Sequence, residues 1–159
     1  MAWVAPISTT TGCLITAARW NSDVVANVQY VHDNRSQCIP LGSNPDTAWG
    51  GANETYDAQI YSYYKGSIID KADLTSAKLA VMTYGGTCDV YSRLYNCTAG
   101  ASIVGSEVFH TTTSPCSYLE SGDIKANLPT TDVVLAVQHR TTATAQNWRC
   151  RWAGLWLDF

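Results

Sequence analysis

Val133-Val134-Leu135-Ala136-Val137-Gln138-His139-Arg140 decides the fold. Val133, Leu135 and Val137 alternate with Val134, Ala136 and Gln138. A period of two puts the first set on one face of a β-strand, because successive Cβ atoms point to opposite sides. The same alternation recurs. Leu79, Val81 and Thr83 alternate with Ala80, Met82 and Tyr84, and Val90, Ser92 and Leu94 with Asp89, Tyr91 and Arg93. Tyr56, Ala58, Ile60, Ser62 and Tyr64 form another such series. In the last segment the spacing places Trp148, Cys150, Trp152 and Trp156 on one strand face and Arg149 and Arg151 on the other. Shorter strands are expected at 103–109 and 117–124. Gly85-Gly86, Asn96 to Gly100, Thr111 to Pro115 and Pro129 separate the runs.

Seven or more strands, with no helical pattern of 10–15 residues between them, predict a mainly β chain. The expected architecture is an antiparallel two-sheet β-sandwich, and within that class a jelly roll. Leu79, Val81, Val90, Leu94, Val133, Leu135 and Val137 are the expected core, with at least two of Trp148, Trp152 and Trp156 facing inward.

Upstream of 56 the pattern changes. Residues 1–15 read as an extended arm. Thr16 is placed to cap a helix, with Ile15 and Trp20 at the spacing of a hydrophobic staple. Trp20, Val24, Val28 and Val31 then fall on one stripe of a short amphipathic helix over 17–32. Such a stripe either packs on the chain's own core or docks on another chain. Residues 35–55 are rich in Gly, Pro, Asn and Asp. The expected division is therefore an N-terminal arm and helix, 1–50, and a sandwich, 51–159.

Composition narrows the function. The chain has 159 residues, 10 Lys plus Arg against 13 Asp plus Glu, and a net charge of −3. There is no basic field to hold a phosphate backbone, which argues against nucleic acid as a partner. Charged residues are only 14%; such a weakly self-repelling polar surface suits a protein packed against copies or partners. No apolar run is long enough to span a membrane. Met1 to Pro6 lacks the basic and apolar regions of a signal peptide, so synthesis in the cytoplasm is expected. Asn34-Arg35-Ser36, Asn53-Glu54-Thr55 and Asn96-Cys97-Thr98 match the glycosylation acceptor, without a leader that would bring them to it.

No zinc-type Cys or His spacing, G-x-S-x-G or P-loop is present, so neither catalytic residues nor a cofactor or metal are expected. His139, on the face of Val133, Leu135 and Val137, reads as a structural histidine. The seven tyrosines from Tyr56 to Tyr95 offer rings with polar tips. Tyr61, Tyr63, Tyr91 and Tyr95 are the candidates for a glycan-facing set. The six cysteines leave two readings open: buried thiols, or disulfides, for which Cys88–Cys116 and Cys13–Cys38 are the candidate pairs.

Two segments carry a resemblance. Trp3-Val4-Ala5-Pro6, Thr11-Gly12, Ile15-Thr16-Ala17-Ala18, Trp20-Asn21, Val24 and Asn27 resemble the opening of many structural proteins of tailed bacteriophages. Arg93-Leu94-Tyr95-Asn96-Cys97-Thr98, Val104-Gly105-Ser106-Glu107 and Val137-Gln138-His139-Arg140 are similar to a pattern of jelly-roll domains in phage virion proteins. Together they touch about a third of the chain. The resemblance implies a non-enzymatic virion component on the particle surface: a capsid decoration (cement) or short head-fibre protein. Trp3, Ile15, Trp20, Val24, Val28 and Val31 would attach it to other virion proteins, foremost the major capsid protein. It also implies a homo-oligomer such as a trimer. The alternative is a tail-tip or neck module that binds receptor carbohydrate on the host surface. The cysteines are not part of the family pattern.

Overall fold

The computed structural model describes residues 35–43, 56–85, 88–111, 117–142 and 148–159, with Val24, Val25, Asn27, Val28 and Tyr30. The chain divides into two compact units, Met1–Ser36 with Phe159, and Gln37–Asp158. The second unit holds almost all of the sheet structure.

Nine strands are present among the described residues: β1 (Ser36–Ser43), β2 (Asp57–Lys65), β3 (Ser76–Gly85), β4 (Val90–Asn96), β5 (Ala101–Ser102), β6 (Val108–His110), β7 (Ser117–Glu120), β8 (Asp132–Thr141) and β9 (Trp148–Asp158). They form two antiparallel sheets, ordered β1-β9-β3-β7 and β2-β8-β4-β5, with β6 also on β4. The molecule is thus mainly β with two sheets, as the alternation predicts. The expected boundary at 50/51 differs from the observed one at Ser36/Gln37, because β1 hydrogen-bonds to β9 and carries residues 37–43 into the sheet. Its Gly and Pro content hid this strand: an edge strand tolerates Pro40, where a central one would lose a ladder bond.

The pairing has one simple order. β1 pairs with β9, β2 with β8, β3 with β7, and β4 with β5 and β6. In addition β9 meets β3 and β8 meets β4.

The core lies between the sheets. Ala77, Leu79, Val81, Ala153, Leu155 and Leu157 come from one sheet, and Val90, Leu94, Val133, Leu135 and Val137 from the other; all are buried. At about 25 cal/mol per Å² of apolar surface removed from water, each large side chain among them contributes roughly 1.5–3 kcal/mol. All seven aliphatic residues expected inside are inside.

Trp152 and Trp156, expected to help fill the interior, are not. Trp152 pairs with Met82, and Thr83 pairs with Cys150, so Arg151 is an extra residue in β9. A bulge of one residue inverts the alternation. Cys150 therefore faces the core at 0% exposure, while Trp152 and Trp156 lie half-buried on the outer face beside Met82 and Lys78. The Trp152 ring covers Gly154, where a Cβ would stand 2.5 Å from the indole and 2.8 Å from Cys38 Sγ. The side chain of Trp148 lies outside the described residues.

Of the strand expected over 103–109 only Val108 and Phe109 are strand, as the start of β6; β5 ends at Ser102 and a turn follows it. Gly105 turns the chain at φ +81°. The buried Ser106 hydroxyl accepts a hydrogen bond from Leu94 N at 3.0 Å and donates one to Ile103 O at 2.7 Å. A side chain thus takes the place of a ladder partner on β4. Ser106→Ala leaves the buried Leu94 N–H without its acceptor and is expected to cost about 1–3 kcal/mol, read from denaturant unfolding.

Candidate functional site

The outer face of the second sheet gathers chemistry that its strands carry separately. Burial on β4 alternates, with Val90, Ser92, Leu94 and Asn96 inside and Tyr91, Arg93 and Tyr95 outside. Cross-strand pairing places Tyr61 and Tyr95 on either side of Ala136, and Tyr63 beside Val134. Tyr91 pairs with Arg140 on one side and Phe109 on the other. All four tyrosines singled out from the sequence share this face, two on β2 and two on β4, with β8 between them. Tyr61 and Tyr63 are 63% and 59% exposed. The Tyr63 hydroxyl donates to Asp132 Oδ2 at 3.0 Å.

Sequence reasoning missed the other half of the face. Phe109, Tyr91, Arg140, Tyr56 and Arg93 form a continuous stack. The Tyr91 and Phe109 centroids are 4.7 Å apart. The Arg140 guanidinium lies 3.8 Å from the Tyr91 centroid and 5.2 Å from that of Tyr56; Arg93 lies 3.7 Å from Tyr56. Arg93 Nε donates to Gln138 Oε1 at 2.9 Å. The Tyr56 hydroxyl donates to Glu107 Oε2. Burial first, and then the hydrogen bond to the Glu107 carboxylate, push the Tyr56 phenol up to about 12. Tyr56 is a neutral donor at any ordinary pH. The outward alternation of Tyr91 and Arg93 was legible; that Arg140, 47 residues beyond Arg93, lies over the same ring was not.

A second polar group lies inside the sandwich. Ser92 Oγ and His139 Nδ1 are 2.8 Å apart, and both residues are buried. The pair has the distance of a nucleophile and its base, and both members are buried between the sheets. His110 is buried beside them, on the residue paired with Val90. Desolvation pulls its imidazole down to about 4. Desolvation, and then the neighbouring His110, pull His139 to about 3. Both rings are neutral at pH 7.

The remaining predicted residues fall as follows. Val24 and Val28 of the proposed attachment stripe have helical backbone and are exposed at 37% and 65%, as is Val25 at 48%. Trp3, Ile15, Trp20 and Val31 lie outside the described residues. Cys38, Cys88, Cys97 and Cys150 are free thiols. Neither the Cys13–Cys38 nor the Cys88–Cys116 bridge is therefore present; Cys13 and Cys116 lie outside the described residues. Burial raises the Cys38 and Cys88 thiols above their ordinary range, which disfavours the thiolate that bridge formation requires. Among the described residues, no group of three or more His, Cys, Asp or Glu could hold a metal ion, and no helix is long and apolar enough to cross a membrane.

No protein-family model matches the chain, and no curated protein matches its sequence.

Proposed function

We propose that the protein is a non-catalytic structural component of a bacteriophage particle. It is a jelly-roll module that decorates the capsid or forms a short head fibre, held to the shell by its N-terminal segment. The nested order β1·β9, β2·β8, β3·β7, β4·β5/β6 supports the jelly roll, because rolling one long antiparallel hairpin generates that set of neighbours. The observation that carries the attachment is the exposure of Val24, Val25 and Val28 together on one short stretch. Clustered valines in contact with water mark an interaction surface rather than a solvated one. The shell protein, or sister copies in an oligomer, would cover them.

The test uses purified particles and the full chain. Val24→Asp with Val28→Asp is expected to leave the unfolding midpoint unchanged, since both side chains are exposed, and to abolish co-sedimentation with particles. An unpaired carboxylate buried at the contact costs several kcal/mol. Binding of the double variant at full occupancy sinks the attachment role. So does a copy number of only a handful per particle, which belongs to a tail tip.

The tyrosine face favours a second reading, a carbohydrate-binding module that meets host-surface glycan. Tyr61 and Tyr63 present flat apolar rings with hydroxyl tips, a match for pyranose rings with apolar faces and polar rims.

A further inference from the structure

We infer that the outer face of the β2-β8-β4 sheet is a binding site for an acidic saccharide, one carrying carboxylates on its sugar rings. The inference rests on the carbohydrate reading of that face and names its ligand class. The chain carries net charge −3, yet this face concentrates two arginines within 5.2 Å of a single ring, that of Tyr56. Among the described residues neither guanidinium makes a salt bridge. Glu107, the carboxylate of the cluster, is held by the Tyr56 hydroxyl. Two cations beside one anion leave a local positive excess for a ligand to balance.

The arginines are also preorganised. The Arg93 guanidinium lies 3.7 Å from the Tyr56 centroid and that of Arg140 lies 3.8 Å from the Tyr91 centroid, and Arg93 is further fixed by Gln138. A guanidinium has five N–H donors, so those contacts leave donors for a carboxylate. Little side-chain entropy is then lost on binding. The exposed rings of Tyr61 and Tyr63 lie on the same face, toward β2, while the stack runs over β8, β4 and β6. Tyr63 and Tyr61 lie beside Val134 and Ala136 of β8, and Arg93 beside Gln138 with Arg140 further along the same strand, so a saccharide lying along β8 would place sugar rings on the tyrosines and a carboxylate at Arg93 and Arg140. An apolar protein partner fits less well: Ala136, the small residue between Tyr61 and Tyr95, is buried beneath its neighbours and offers no pocket for an anchor.

The experiment is titration calorimetry on the full chain with a panel of uronic-acid oligosaccharides (galacturonate, mannuronate, guluronate and glucuronate types) and their neutral methyl esters. A single-stranded oligonucleotide serves as a polyanion without sugar carboxylates. At least one acid is expected to bind ten times or more tightly than its ester, and to weaken between 50 mM and 500 mM salt. Arg140→Gln and Arg93→Gln should remove the preference for the acid; Tyr61→Ala should weaken acid and ester alike. Thermal melts check that these outer-face variants stay folded. Equal affinity for acid and ester overturns the acidic ligand while the carbohydrate reading stands. No binding of any saccharide overturns both. An oligonucleotide bound as tightly, with the same loss in Arg140→Gln, assigns the face to polyanions in general and overturns the saccharide.

Discussion

Acidification from pH 6.5 to pH 5 is expected to cost the protein a large share of its stability through two buried histidines, above the pH at which the hydrogen-bonded carboxylates titrate. His110 and His139 are buried and neutral, with folded pKa values of about 4 and about 3, against about 6.5 in an unfolded chain. Between these values the unfolded state binds protons that the folded state refuses. Stability is therefore full above pH 6.5 and falls as pH drops toward 4. The limiting slope is about 1.4 kcal/mol per pH unit for each histidine, or nearly 3 for the two together. A drop of one and a half units then removes up to about 4 kcal/mol from a typical total of about 5–15. Asp123, Glu120 and Asp132 are held below their ordinary range by hydrogen bonds, so their contribution is lost only at lower pH, as the solution falls below about 4. The two windows separate. Urea unfolding at half-unit steps from pH 7.5 to 5 reads the histidine window, and His139→Gln should roughly halve its slope. A flat profile in that range would mean that the imidazoles are reachable by protons in the folded protein.

Leu135→Ala should cost about 2–5 kcal/mol, and Val134→Ala less than about 0.5. The two residues are adjacent in β8, the strand between β2 and β4. Leu135 is 0% exposed and faces the other sheet; Val134 is 38% exposed beside Tyr63. Deleting the buried side chain loses its transfer free energy and leaves a cavity between two sheets that cannot close independently. The exposed one leaves a space that water fills. Chemical denaturation of both variants checks the contrast. Equal costs would place β8 out by one residue, since a slip of one exchanges its two faces.

The face assignments of β3, β4 and β8 were legible because alternation is a property of a single strand's covalent geometry. Leu79, Val81, Val90, Leu94 and the series Val133, Leu135, Val137 needed no partner to declare their side. The outward direction of Tyr91 and Arg93 followed in the same way. The tryptophans of β9 show where this logic ends. The extra residue at Arg151 exists only relative to Met82 and Thr83 of β3, and no property of residues 148–158 alone reports it.

The chain by itself determined that there are many short strands, and which aliphatic side chains of β3, β4 and β8 line the interior. Only the tertiary structure decided that β2 and β4 flank β8, so that Tyr61, Tyr63, Tyr91 and Tyr95 share one face, and that Arg93 and Arg140 stack on one ring. It also decided that residues 37–43 join a sheet. The physical reason is range. Side-chain alternation and turn chemistry are set within a few residues by sterics. Register and strand neighbours are set by the free energy of pairing segments tens of residues apart, which no single segment contains.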